Sequence, residues 1–508
     1  MEEEKSNKRI IKNTLFLYFR MFISLALSVI TGRVVFQTLG VEDYGINAVV
    51  GGVIGMFSVI QSSMIGATAR FITYEMGKKD NKLSAVFSTT LTVHIIIAFV
   101  LFIVLETIGL WIVNYQLEIP TNRMFAANCI YQFSIISTML AVTQTPYSSI
   151  LVAHEKMNVY AYFDILNTLF KLLIIYLLLI GNYDKLILYG FLTLCVSVFI
   201  LILNRIYCIK RFPETHYHFI WDKTLLKPII SFSGWDVFGN VAVMARGQGV
   251  TILLNIFFGP IMNAAAGIAN SVTSIISGFS GNIIMAVRPQ LIKRYANGKY
   301  DSMIRLMHEG IVFSFVLMTF LTIPLIAEIH FVLKTWLGEV PEYACIFTIL
   351  VLIFNIIGCF ARIVMIVVHA TGHIKKTSII NGVIYIMVLP VSYIAFKLEA
   401  PAWIPFLYNA IAFFCGSMWN TYLMTTYIPQ LTLKRFFFNT IVPCFTLFII
   451  VSIPVITVTY NLEEGWYRLF ISIGLTIVLT SYLGYKFMLD ENMKVKAKNI
   501  IMEKLNIK

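Results

Sequence analysis

Residues 231–289 read SFSGWDVFGNVAVMARGQGVTILLNIFFGPIMNAAAGIANSVTSIISGFSGNIIMAVRP, two long apolar segments that meet at a Gly259-Pro260 turn. Asp236, Arg246 and Gln248 lie in the first segment, and Arg288 lies near the end of the second. A charged side chain at the centre of a membrane helix costs about 2.5–3.5 kcal/mol on insertion scales, so such groups are uncommon without a role. The stretch therefore predicts a pair of membrane helices that line a polar route.

The composition extends this prediction to the whole chain. Of its 508 residues, 58% are hydrophobic and 13% are charged, whereas about a quarter of the residues of a soluble domain are charged. The sequence therefore predicts an all-α polytopic membrane protein. The net charge of +13 is explained by basic loops and does not indicate a nucleic-acid partner. The 7 cysteines form no CxxC pair, so neither a disulfide framework nor a metal site is predicted.

Apolar runs long enough to cross a bilayer recur along the chain and predict about fourteen transmembrane helices. Their predicted cores are residues 13–39, 44–70, 83–114, 124–152, 157–180, 185–209, 225–258, 262–292, 303–333, 343–370, 376–397, 401–428, 436–460 and 466–488.

The loops between these spans alternate between basic and acidic. Basic loops include Lys78-Lys79, Lys210-Arg211 and Lys293-Arg294, and acidic loops include Glu42-Asp43 and Glu463-Glu464. Because short cytoplasmic loops are enriched in lysine and arginine, both termini are predicted to be cytoplasmic. Residues 490–508 predict an amphipathic helix on the inner membrane surface.

A weak internal repeat suggests two lobes. Gly40 and the segment Gly77-Lys78-Lys79-Asp80 recur in the second half as Gly259 and Gly298-Lys299-Tyr300-Asp301. Six helices per repeat give the two halves one orientation, which favours a central cavity between lobes that rock against each other. The predicted division is residues 1–212 and 213–430 for the two six-helix lobes, 431–489 for two additional helices and 490–508 for the tail.

The segments NTLFLYFRMFISLALSVITGRVVFQTLGVEDYGINAVVGG (residues 13–52), ATARFITYEMGKKD (67–80) and GWDVFGN…ARGQGVTILLNIFFGP…RPQLIKRY (234–295) resemble bacterial polysaccharide-export (O-antigen) flippases. These belong to the multidrug/oligosaccharidyl-lipid/polysaccharide superfamily, whose other branches are MATE-type multidrug transporters. The resemblance covers the whole chain. It implies a transporter in the bacterial cytoplasmic membrane that moves polyprenyl-pyrophosphate-linked oligosaccharide to the outer leaflet by alternating access. It also implies coupling to a proton or sodium gradient, contact with membrane lipids and with other polysaccharide-assembly membrane proteins, and no other cofactor.

Arginine suits a pyrophosphate substrate because its guanidinium stays protonated and forms paired bonds to phosphate oxygens. The residues predicted to line a substrate cavity are Arg20, Arg33, Lys171, Arg246, Gln248 and Arg362. Asp236 is the candidate for ion coupling, and Arg70 and Arg288 are basic residues at cytoplasmic helix ends. For each charged residue a structural ion pair, or snorkelling to the membrane surface, is the alternative. Gly247 and Gly249 predict local unwinding or close helix approach around Arg246.

Two other functions are alternatives to a flippase. A cation antiporter of the same superfamily would expose inward carboxylates, whereas the charges within the predicted spans are mainly arginine and lysine. A membrane glycan polymerase would be an enzyme with a substantial outer loop carrying arginines, whereas the acidic loops here are short. The sequence has no GxxxxGK[ST] phosphate loop and no HExxH. A transporter is therefore favoured over an enzyme.

Overall fold

The described part of the protein is helical. The structure, a computed structural model, describes residues 12–24, 58–77, 82–115, 119–178, 183–220, 223–258, 260–338 and 340–488, with short pieces between 26 and 54. Within these residues there is no strand. Nine helices among them are long and apolar enough to cross a membrane. The chain is therefore an all-α polytopic membrane protein, as predicted.

Residues 12–24 are helical, and the numbered helices follow from residue 58. They are α1 Ser58–Gly77, α2 Leu83–Val104, α3 Leu110–Tyr115, α4 Met124–Ala153, α5 Met157–Leu177, α6 Lys185–Arg211, α7 Lys223–Phe258 and α8 Pro260–Ala296. They continue as α9 Tyr300–Ala327, α10 Ile329–Leu337, α11 Ala344–Thr371, α12 Lys375–Lys397, α13 Ile404–Tyr427, α14 Leu433–Phe436, α15 Val442–Asn461 and α16 Trp466–Leu483. From residue 83 onward, each predicted span coincides with one of these helices, except that the spans 83–114, 303–333 and 436–460 each cover two of them.

Two predicted boundaries differ from the structure. The predicted span 303–333 is interrupted at Glu328, where the backbone leaves helical geometry (φ −112°) between α9 and α10. Arg468 and Ser472 bind the Glu328 carboxylate there, so a buried polar contact replaces helix continuity. In addition, α1 ends at Gly77 rather than at residue 70, which places Arg70 two turns inside the helix.

The chain divides into two compact units, residues 1–241 with 292–298, and residues 242–291 with 299–508. In the first unit, α4 packs against α1, α2, α5 and α6. In the second, α11 packs against α9 and α13, and α9 also packs against α15 and α16. The lobe boundary predicted at residue 212 remains a prediction.

One helical irregularity in the first unit is explained by a buried tyrosine. The π-helical turn Leu105–Gly109 joins α2 to α3. The Tyr131 hydroxyl, on α4, donates to the Leu105 carbonyl at 2.7 Å, and Tyr131 is fully buried. A side chain at position 109 would collide with that hydroxyl. Glycine at position 109 thus lets Tyr131 reach a carbonyl that the wider turn leaves accessible.

Polar contacts join loops that the charge pattern assigns to one side of the membrane. Arg123, Asp43 and Asp184 come from three acidic-side loops and form one ion-pair cluster. On the basic side, Lys293 donates to the Ala153 carbonyl at 2.6 Å and pairs with Glu155 at 3.2 Å. The structure therefore places the three acidic-side loops together and the two basic-side segments together. Which side is cytoplasmic remains a prediction.

Candidate functional site

Arg246, on α7, is the most deeply enclosed of the predicted cavity arginines that the structure describes. Only 7% of its surface is exposed. Its guanidinium carbon lies 4.6 Å from the ring centroid of Tyr385 on α12 and 5.4 Å from that of Phe354 on α11. A cation over an aromatic face gains about 2 kcal/mol when both are shielded from water. The two rings therefore hold the guanidinium by cation–π attraction.

A cavity of about 130 Å³ lies beside this guanidinium within the second unit. Arg246, Thr251, Asn270, Thr273 and Asn409 line it together with apolar side chains. The cavity has room for about four water molecules. The Arg246 Nη1 group and the Asn409 Oδ1 atom are buried here without a hydrogen-bond partner among the described residues. A buried donor and a buried acceptor left unpaired cost roughly 1–3 kcal/mol each, so the cavity is suited to a small polar or anionic group.

The glycines around Arg246 have separate roles. A side chain at Gly249 would collide with Leu389 of α12, so this glycine permits the close helix approach that the sequence predicts. Gly247 has no atom near the position of a Cβ and lines the cavity. Gln248 was predicted to line the cavity together with Arg246. In the structure it is exposed and is not among the residues that line the cavity. Two residues along a helix correspond to about 200° of rotation, which explains why Arg246 and Gln248 do not face the same cavity.

Arg362 is held by its own hydrogen bonds. Its Nη1 donates to Ser280 Oγ at 2.7 Å and its Nη2 donates to Asn355 Oδ1 at 3.0 Å. A Cβ at Gly358 would lie 2.9 Å from Arg362 Nη2, so the guanidinium occupies the space that this glycine leaves. Arg362 does not line the Arg246 cavity.

In the first unit, Arg20 lies against α5. Its Nε is 3.8 Å from Asp164 Oδ2, and its guanidinium carbon is 5.3 Å from the ring centroid of Tyr160. The Ser24 hydroxyl donates to the same Asp164 oxygen at 3.3 Å. Lys171 is exposed and lies seven residues beyond Asp164, hence on the same helix face. The structure thus groups Arg20 with an aspartate that the sequence analysis missed.

Three more of the predicted residues lie on α1, α7 and α8. Arg70 is buried, with its guanidinium carbon 4.6–5.4 Å from the ring centroids of Phe71, Tyr74 and Phe232. Asp236 is 9% exposed and accepts from the Asn240 side chain at 3.4 Å. Arg288 is half-buried on α8, eight residues before that helix ends. Arg33 lies outside the described residues.

Several site residues escaped the sequence analysis because they are uncharged or common in membrane helices. The guanidinium of Arg246 contacts Tyr385 and Phe354, and its cavity is lined by Asn270 and Asn409. No local pattern separates these residues from other aromatic or amide residues. Asp164 could have been found, since an aspartate and a lysine seven residues apart in one apolar span form a polar face.

Comparison with known proteins gives structural matches only. No protein-family model matches the chain, and no curated protein sequence matches it. An outward-facing multidrug resistance MATE transporter of the MOP superfamily matches with a TM-score of 0.71, at 13% identity over 83% of this chain and 97% of that chain. A MATE transporter in the bent conformation matches with a TM-score of 0.70, at 14% identity over 84% of this chain and 97% of that chain.

A third match is a MOP superfamily transporter from Pyrococcus furiosus, whose binding pocket is described as having reverse polarity that suggests a different function. Its TM-score is 0.68, at 14% identity over 84% of this chain and 97% of that chain. Each of the three matched chains aligns with this chain along nearly its whole length. The chain therefore has the fold of the MATE-type transporters of the MOP superfamily.

Proposed function

We propose that this chain is a transporter, not an enzyme, and that it moves polyprenyl-pyrophosphate-linked oligosaccharide from the cytoplasmic to the outer leaflet of the bacterial cytoplasmic membrane. The observation that carries the proposal is the buried Arg246 guanidinium, which lines a cavity and has an N–H group without a hydrogen-bond partner among the described residues. Such a cation attracts phosphate or another anion, and would repel the organic cations that an antiporter exports. The fold supports transport and gives the polymerase alternative no support.

The cavity limits which part of the substrate Arg246 can contact. A volume of about 130 Å³ is far smaller than an oligosaccharide. The proposal therefore assigns to it one phosphoryl group or the edge of one sugar ring. The amide and hydroxyl groups of Asn409, Asn270 and Thr273 are neutral partners for sugar hydroxyls or phosphate oxygens.

Coupling to a proton or sodium gradient is part of the proposal. Asp236 is its candidate because it is a buried carboxylate within a predicted span and accepts a hydrogen bond from the Asn240 amide. The proposal also keeps membrane lipids and other polysaccharide-assembly proteins as partners.

A multidrug or cation antiporter is the second candidate. It is favoured by the multidrug description of one matched transporter and by Asp164, a half-buried carboxylate within a span. Because Asp164 lies 3.8 Å from Arg20, its charge is partly balanced, which makes it a weaker site for a cationic drug.

Reconstitution in proteoliposomes tests the proposal. A fluorescent polyprenyl-pyrophosphate oligosaccharide is followed between leaflets, with and without a proton or sodium gradient. We expect translocation that requires the protein, increases with the gradient and falls when Arg246 is replaced by Ala. Gradient-driven export of a cationic dye, without translocation of the lipid-linked glycan, would establish the antiporter instead.

A further inference from the structure

A second cavity of the second unit lies next to two basic loops. Its volume is about 610 Å³, within the range of ligand sites, roughly 300–1,000 Å³. It is formed by the first turns of α9 and by the chain from Gln430 through α14 into the start of α15. Both segments follow loops that the charge pattern assigns to the cytoplasmic side. On the predicted orientation, the cavity therefore lies at the inner surface of the membrane.

The wall of this cavity is amphipathic. Arg305, Arg435 and His308 supply cationic or hydrogen-bonding groups, and Asp301 is its acidic member. Ile304, Met307, Phe436, Phe438 and Pro443 supply apolar surface. A ligand that matches both sets carries an anionic group joined to an apolar body.

An irregular turn shapes the cavity. The π-helical turn Phe437–Ile441 contributes Phe438, Asn439 and Thr440 to its wall. The Thr440 hydroxyl lies 2.9 Å from His308 Nδ1 of α9, so the turn is tied across the cavity. π-helical turns inside helices occur frequently at functional sites.

We propose that the cavity between Arg305 and Arg435 binds the phosphodiester headgroup of an anionic phospholipid of the inner leaflet. Both arginines are exposed, which gives a ligand access to their planar donor groups. Guanidinium groups form paired bonds to phosphate oxygens, and basic pockets between membrane helices on the cytoplasmic side suit lipid headgroups. The apolar residues then contact the glycerol and the upper acyl chains. This site is separate from the Arg246 cavity and does not depend on the transported substrate.

The test measures binding of phosphatidylglycerol to the purified full chain by native mass spectrometry, with phosphatidylcholine as the background lipid. The double variant Arg305→Gln/Arg435→Gln is compared with Arg211→Gln, which removes an exposed arginine at the end of α6 in the other unit. Removing one interfacial charge weakens binding roughly fivefold. We therefore expect the double variant to lose roughly 25-fold in affinity and the control to keep wild-type affinity.

A third variant separates binding from folding. Asp301→Asn removes the carboxylate from the wall, so phosphatidylglycerol is expected to bind more tightly, a gain that misfolding cannot produce. Equal affinity in the wild type and the double variant would overturn the site. Inorganic phosphate that displaces the lipid at comparable concentration would overturn the lipid assignment and identify a site for a soluble anion.

Discussion

Arg123 holds Asp43 through two parallel hydrogen bonds, from Nε to Oδ1 at 2.8 Å and from Nη2 to Oδ2 at 2.7 Å. The same guanidinium donates from Nη1 to Asp184 Oδ2 at 2.5 Å. Asp184 in turn accepts from the backbone N–H groups of Leu186 and Ile187 and caps α6. One arginine thus joins three predicted loops on one side of the first unit.

Replacing Arg123 by Ala is expected to lower the free energy of unfolding by roughly 1–2 kcal/mol, since paired arginine–carboxylate bonds are stronger than single exposed ion pairs. Thermal unfolding in detergent measures the change. Arg211→Ala, at the far end of α6, is the matched control and should unfold as the wild type does. A similar loss in both variants would mean that the cluster has no special role.

The cluster also predicts a dependence of stability on pH. The hydrogen bond from Arg123, helped by the Ile187 and Leu186 amides, holds the pKa of the Asp184 carboxyl below its usual range. A depressed folded-state pKa stabilises the protein above the unfolded-state pKa, near 4, and this contribution is lost as the pH falls through the folded-state value. Unfolding temperatures measured from pH 6 down to pH 3 should therefore fall more steeply in the wild type than in Asp184→Asn. Parallel curves would exclude this carboxyl as a source of acid sensitivity.

Breaking the ion pair between Glu328 and Arg468, in the second unit, is expected to destabilise the protein more than replacing Arg123. Arg468 donates to Glu328 Oε2 from Nε at 2.9 Å and from Nη2 at 2.7 Å, and Glu328 is 1% exposed. Removing one member of a buried pair costs about 3–5 kcal/mol because the other charge remains buried. Arg468→Leu should therefore unfold far more readily than Glu328→Leu/Arg468→Leu, in which no charge is stranded. Glu464→Gln, at an exposed carboxylate 3.7 Å from Arg468, serves as the mild control.

The helices were predictable because a membrane span is marked by about 20 consecutive, mostly apolar residues, which the sequence displays directly. Arg246 and Gly249 were also predictable, since a buried arginine among glycines implies a polar contact and a close helix approach. What Arg246 contacts was not predictable: Tyr385 and Phe354 lie more than 100 residues away in sequence, and aromatic residues are common in every span.

Glu328 shows a different limit. The hydropathy of the sequence predicts one span across position 328, because a single carboxylate changes the mean hydropathy of such a stretch only a little. The break depends on Arg468 and Ser472, which come from a helix 140 residues further along the chain. The prediction that Gln248 lines the cavity was wrong for a third reason. Its proximity in sequence to Arg246 suggested that both side chains point to one cavity, whereas two residues along a helix point in different directions.

Gly358 predicts how firmly Arg362 is positioned. A methyl group at this position would lie 2.9–3.2 Å from three atoms of the Arg362 side chain. Gly358→Ala should therefore displace the guanidinium from Ser280 and Asn355 and lower the free energy of unfolding by about 1–3 kcal/mol. Gly267→Ala on α8 is the matched control, because no atom lies within 4 Å of its Cβ position, and alanine there should be neutral or stabilising. Equal stability of the two variants would show that Arg362 relocates without loss.

The contact between the Tyr385 ring and Arg246 predicts how variants of these two residues affect transport. If the Tyr385 face positions the guanidinium, Tyr385→Phe keeps that face and should transport lipid-linked oligosaccharide nearly as the wild type does. Tyr385→Leu loses it and should lower transport roughly tenfold, the equivalent of about 1.4 kcal/mol of cation–π attraction. Arg246→Lys should fall between the wild type and Arg246→Ala, because lysine keeps the charge but not the planar donor group. The measurement is translocation in proteoliposomes at equal amounts of folded protein. If Tyr385→Phe loses as much activity as Tyr385→Leu, the hydroxyl is the group that matters, and the guanidinium must be held by other contacts than the ring.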